Sequence, residues 1–185
     1  MQLSKLTQTL ADLHEPAFRL AQIKRAFYVE YRESWEDVSV LSKPLRATLA
    51  EAVPWNALEL VRKQEGDEGE TVKALFACAD GQKIEAVLMC HEDERNTVCI
   101  SSQVGCAMGC TFCATGTMGW IRNLTRDEIV EQVIYFARML AEKEDRVTNV
   151  VFMGMGEPFN NYEEVMAAVR MLNDPTLFGL GARHI

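Results

Sequence analysis

From Val98 onward the chain reads as strand, loop, helix, strand and helix, and this order constrains its fold more than any other feature. Val98 to Gln103 predicts a short strand. Thr125-Arg126-Asp127-Glu128 predicts a capping box, with Thr125 as N-cap and Glu128 returning to its amide. Ile129, Val133, Phe136 and Leu140 then line one helical face. Val147 to Met153 is a near-continuous apolar run, of the kind found in strands buried on both faces of a parallel sheet. Asn161 is placed to cap a helix carrying Val165, Val169 and Leu172, and Arg183-His184-Ile185 reads as the start of a further strand. Strands alternating with helices make βα units. In such folds the working groups sit in loops at the C-terminal ends of the strands.

The residues before Val98 follow two other patterns. Leu3, Leu6, Leu10 and Leu13 recur at helical spacing until Pro16. Phe18, Ile23, Phe27 and Tyr31 predict a second helix, and Pro44 opens a third. Leu58 to Val61, Val72 to Ala77 and Ile84 to Met89 predict strands. Gly66 to Gly69 and Asp80-Gly81 supply turns, and the acidic run Glu65 to Glu70 supplies a solvated loop. The expected division is a helical module over 1–52, a β-rich connecting segment over 53–97, and a βα region over 98–185.

Charge and cysteine usage narrow the function classes. A net charge of −8 excludes a broad electrostatic footprint for nucleic acid, so any RNA contact falls to local groups such as Lys24-Arg25 or Arg122, or to parts of the protein outside this chain. No apolar run approaches the roughly 20 residues of a membrane span. The N-terminus does not read as a signal peptide, and the expectation is a cytoplasmic protein. Six cysteines without a secretory signal argue for thiolate chemistry or metal binding rather than a disulfide framework.

Three of those cysteines stand together in Cys106-Ala107-Met108-Gly109-Cys110-Thr111-Phe112-Cys113, a C-x3-C-x2-C spacing. Electron-carrier clusters usually take four cysteines, so three thiolates leave one iron of a four-iron cluster open for chemistry. A zinc site is the alternative, with Cys99, Cys90 or His91 as fourth ligand. One βα unit later comes Gly154-Met155-Gly156-Glu157-Pro158, where glycines admit close backbone approach and a carboxylate can take an ammonium group. On its own this second motif reads equally as a strand-ending turn.

Taken together, these residues resemble the radical S-adenosylmethionine (SAM) superfamily. Cys99 through Cys106, Arg122-Asn123-Leu124-Thr125 and Met153 through Pro158 are similar to the adenosine-C2 methyltransferases of 23S rRNA and tRNA. Glu15-Pro16-Ala17-Phe18-Arg19 resembles that family's N-terminal helical module. The resemblance implies a [4Fe–4S] cluster on Cys106, Cys110 and Cys113, and SAM chelated to the open iron with its amino group at Gly156 and Glu157. It also implies reductive cleavage of SAM to a 5′-deoxyadenosyl radical. Cys99 matches the family's cysteine that resolves a protein–RNA crosslink. Glu85 matches an acidic residue near the site, and an exposed strand carboxylate is an equal reading of it. Cys78 and Cys90 match no site residue. The Gly-Glu-Pro form is similar to the C2-methylating branch rather than to related C8-methylating enzymes.

The implied fold is α/β: an N-terminal helical module, a small β-rich segment, then the first βα units of a truncated radical-SAM barrel. The residues after Cys113 suffice for about two βα units of roughly 30 residues each. The family's methyl-accepting cysteine would lie beyond Ile185, so the chain is expected to be an N-terminal fragment without methyltransferase activity of its own. Implied partners are 23S rRNA, tRNA and an electron donor such as flavodoxin, with the protein a monomer. A different radical-SAM reaction on the same scaffold, or a structural zinc or iron–sulfur module, are the alternative functions.

Overall fold

Helical periodicity and capping place the first elements where the sequence puts them. The computed structural model describes residues 1–66 and 70–185, and within it α1 spans Leu3–Asp12, α2 Phe18–Tyr28 and α3 Lys43–Ala52. The Ser42 hydroxyl accepts from the Leu45 amide, and Pro44 sits in the first turn of α3. Helix α2 stops short of Tyr31, because the Glu30 and Arg32 amides turn back onto the Arg25 and Ala26 carbonyls. Phe27, Trp35 and Trp55 pack edge-to-face beneath these helices. Both indole N–H groups find acceptors, on the carbonyls of Val53 and Arg32.

Strands β1 (Leu58–Glu65), β2 (Thr71–Cys78) and β3 (Lys83–Cys90) form an antiparallel meander. Period-two burial is clear in β2 and β3, where Val72, Ala74 and Phe76 face the core with Ile84, Ala86 and Leu88. The turn expected over Gly66 to Gly69, and the centre of the acidic run, lie outside the described residues. Strand β3 continues into β4 (Asn96–Cys99), which pairs in parallel with β7 (Asn149–Val151). One five-stranded sheet, ordered β1-β2-β3-β4-β7, therefore runs across residues 97–98 without a break.

The long helix α5 (Arg126–Ala141) connects β4 to β7 and binds the helical module to the sheet. Its start is the predicted capping box, with both Thr125–Glu128 hydrogen bonds present. Two buried carboxylates on its next turns reach outward. Asp127 accepts the Leu3 amide, and Glu131 accepts the amides of Ala57 and Leu58. Helix α6 (Tyr162–Asn173) packs beside α5, with Val165, Ala168 and Leu172 buried.

Four expectations are corrected. The strand expected from Val98 to Gln103 ends at Cys99. Beyond it the chain bends, because Ser101 bonds to the fully buried Gln132 of α5 and Ser102 to the Met155 carbonyl. A separate ribbon then pairs β5 (Gln103–Gly105) with β6 (Trp120–Asn123). The apolar run Val147 to Met153 yields only a three-residue strand. Val150 is buried and Met153 is 80% exposed, since β7 pairs on one side alone among the described residues. Asn161 precedes α6 but makes no cap bond, because its side-chain NH2 donates to the Ser102 and Leu124 carbonyls, each at 2.8 Å, which holds the side chain toward the loops instead. Ala182–His184 is a single 3-10 turn rather than a strand, and it meets β7 through the side chains of His184 and Asn149 instead of a backbone ladder.

Candidate active site

Two loops converge at one end of the sheet, because β4 and β7 are parallel neighbours and both loops follow their C-terminal ends. The first runs from β5 through the cysteines into the single-turn helix α4 (Ala114–Thr117) and on to β6. Its neck is closed by the Cys106 amide on the Gly119 carbonyl at 2.9 Å. Gly105 makes that closure possible. Its φ is +70°, and a Cβ built there would lie 1.9 Å from the Gly119 oxygen. Gly116 likewise packs its Cα against the Cys110 backbone.

All three loop cysteines carry free thiols. Cys106 is buried, and Cys110 and Cys113 are half-buried. The Cys113 amide donates to the Cys110 carbonyl, which draws these two residues into one turn. The Gly116 and Thr115 amides, in that order, stabilise the Cys113 thiolate and hold its thiol below the ordinary range. Burial does the opposite elsewhere: it raises Cys99 and pushes Cys78 up to about 12. Among the described residues no three His, Cys, Asp or Glu side chains form a preassembled metal-ion site. In the reduced, metal-free chain at mildly alkaline pH, iodoacetamide is therefore expected to label Cys113 before Cys99 and Cys78. Mass-spectrometric peptide mapping reads this order, and prior labelling of Cys78 would contradict it.

The second loop, Gly154 to Pro158, is bound to the chain leading into the first. The Gly154 amide donates to Ile100 at 3.1 Å, Met155 to the Ser101 hydroxyl at 2.9 Å, and Glu157 to the Gln103 side-chain oxygen at 2.9 Å. A Cβ at Gly154 would stand 2.7 Å from the Ile100 oxygen, so the two backbones touch. The Glu157 carboxylate accepts from the Phe159 amide, capping the 3-10 turn Pro158–Asn161. Both loops and their flanks carry exposed apolar side chains, Phe112, Trp120, Met153 and Phe159, with Phe112 91% exposed.

Cys99 and Glu85 lie on the sheet below. Val87 pairs with Cys99, and Glu85 is two residues from Val87, so all three share one face. The Glu85 carboxylate pairs with Lys73 at 2.7 Å, and its carbonyl accepts the Ser101 hydroxyl. The structure thus brings Cys106, Cys110 and Cys113 into one loop beside Gly156 and Glu157, with Cys99 and Glu85 on the adjoining strands. Arg122, expected as a local RNA contact, is instead engaged by the Glu128 carboxylate at both terminal nitrogens and by Asp80 at Nε. Arg25 pairs with Glu30. What sequence reasoning missed is the buried polar set Ser101, Ser102, Gln103, Gln132 and Asn161 that ties the loops together. The signal was the uninterrupted Ser-Ser-Gln run at the end of a predicted short strand.

Residues 100–184 match the family model described as the Radical SAM superfamily. Over its whole length the chain is similar to RNA methyltransferases. It is 48% identical to the probable dual-specificity RNA methyltransferase RlmN of Chloroflexus aurantiacus, with 99% of this chain and 50% of the relative covered. It is 40% identical to the ribosomal RNA large subunit methyltransferase N of Nitrosopumilus maritimus, with 98% and 54% covered. The crystal structure of a radical SAM methyltransferase from Sphaerobacter thermophilus superposes with a TM-score of 0.92 at 48% identity, covering 100% of this chain and 54% of that one. The chain spans about half the length of the curated relatives it matches. Among the described residues no helix is long and apolar enough to cross a membrane.

The matching family model implies a [4Fe–4S] cluster and SAM. The residues present fit such a cluster: three free thiols in one glycine-bent loop, one of them held toward the thiolate by amide N–H groups.

Proposed function

We propose that the chain is part of a radical-SAM methyltransferase that modifies C2 of adenosine in 23S rRNA and tRNA. The observation that supports this best is the pairing of the cysteine loop with Gly154–Pro158 at one end of parallel strands, in a chain 40–48% identical throughout to RNA methyltransferases. In this reading Cys106, Cys110 and Cys113 hold the cluster. Gly156 and Glu157 take the SAM amino group, Cys99 serves as the resolving thiol, and Glu85 is an acid on the same sheet face. When bound, cluster and SAM supply one-electron chemistry that an unactivated aromatic carbon requires.

The chain's own groups have definable tasks. The amides of Thr115 and Gly116 keep Cys113 available as a thiolate ligand. Glu157 presents a carboxylate at the strand end, while its own amide is fixed by Gln103. Burial raises the Cys99 thiol, which suits a group that waits for a partner rather than attacking early. Phe112, Trp120 and Phe159 are exposed apolar side chains against which an aromatic base can pack.

Disrupting the gene in its host is expected to abolish 2-methyladenosine in digests of 23S rRNA and tRNA, measured by nucleoside mass spectrometry. Unchanged 2-methyladenosine in both RNAs would sink the reading. Loss of another modification would move it to a different radical-SAM reaction.

A further inference from the structure

We propose that Gln103 is the positioning residue of the SAM-amine site, fixing the Gly156–Glu157 backbone at a set distance from the cysteine loop. The inference rests on the SAM reading above and deepens it. Gln103 is 1% exposed, and its side-chain amide is used at both ends. Oε1 accepts the Glu157 amide at 2.9 Å, and Nε2 donates to Asn123 Oδ1 at 2.8 Å. Its own backbone amide donates to the Met155 carbonyl at 3.2 Å. One residue therefore binds the Gly154–Pro158 loop through backbone and side chain together. The same short strand, β5, leads directly into Cys106.

Packing makes the coupling tight. Gly156 has φ +98°, and a Cβ there would lie 2.5 Å from the Gln103 Cβ and 2.7 Å from its Cγ. The glycine backbone thus rests on the Gln103 stem with no slack. Asn123, the other end of the bridge, lies on β6, which carries the chain out of the cysteine loop. Gln103 consequently references the Glu157 backbone to both arms of the ribbon that bears the thiols. Its effect is exerted through Glu157, whose amide it holds.

Two measurements test this with Gln103→Met, which keeps the stem and removes both bonds, and Gln103→Glu, which keeps the acceptor for Glu157. In hydrogen exchange on the metal-free chain, Gln103→Met is expected to speed exchange at the Glu157 amide about tenfold, the equivalent of one lost hydrogen bond. Helix α5 should be unchanged, and Gln103→Glu should restore protection. On anaerobically reconstituted protein, Gln103→Met is expected to weaken SAM binding about tenfold while leaving iron content unchanged. An analogue lacking the α-amino group should bind variant and parent alike. Unchanged exchange at Glu157, or equal losses for SAM and the amine-free analogue, would overturn the proposal. If the exchange contrast appears but the parent protein binds no SAM, the SAM reading itself is wrong, and the positioning role falls with it.

Discussion

Anaerobic reconstitution with iron and sulfide will load about four iron atoms per chain, and Cys110→Ala or Cys113→Ala will reduce that to below about one. The expectation follows from the loop's construction. Cys110 and Cys113 are linked by a backbone hydrogen bond within one turn, and both thiols are free. Cys99 stands on strand β4, and the Cys78 thiol is buried and pushed up to about 12, so neither is a ready substitute ligand. Cys99→Ala should accordingly keep its iron. That variant separates the cluster from a four-ligand zinc site drawing on Cys99, which would lose its metal in the same experiment. Retention of iron by Cys113→Ala, or tight zinc in place of iron, would show the assignment of the loop to be wrong.

Gly105→Ala is expected to produce the largest loss of stability of any single substitution among the described glycines, roughly 3 kcal/mol or more. Two costs combine. The left-handed backbone at φ +70° strains any side chain, and the new methyl would meet the Gly119 carbonyl oxygen at 1.9 Å. Relief requires opening the neck of the cysteine loop and breaking the bond from the Cys106 amide. For a chain of this size the corresponding fall in midpoint is on the order of 6–12 °C by thermal denaturation. Gly109→Ala is the control. It has a similar φ of +60° but open space around its Cα, so it should lose only the strain component. Equal effects at the two positions would show that the close approach at Gly119 is not limiting.

The parts of the fold that were legible in sequence are those governed by local chemistry. Thr125 and Glu128 specify their own cap, and the alternation in β2 and β3 reports a sheet with one buried face. The errors arise where tertiary partners override a local pattern. Ser101 and Ser102 sit in an apparently continuous strand, yet their backbones are claimed by Gln132 and Met155. Asn161 is spaced as a cap, but its amide reaches two carbonyls distant in sequence. Trp120–Asn123 pairs with β5 although its side chains show no alternation of burial, so periodicity carried no signal for it. At the site, the spacing of the cysteines and of Gly154–Pro158 was readable. The polar bridge between them was not, because Gln103 gains its meaning only when Glu157 is brought beside it.

The backbone contact between Gly154 and Ile100 bears on how such a site can be moved. A cysteine loop transplanted alone into another parallel scaffold would bring Ser101 and Gln103 without the amides they receive, leaving buried acceptors unpaired. The smallest transferable unit is therefore both strand ends together, each with its loop and with Gln132 beneath. Variation in one loop is confined to changes that the other can mirror.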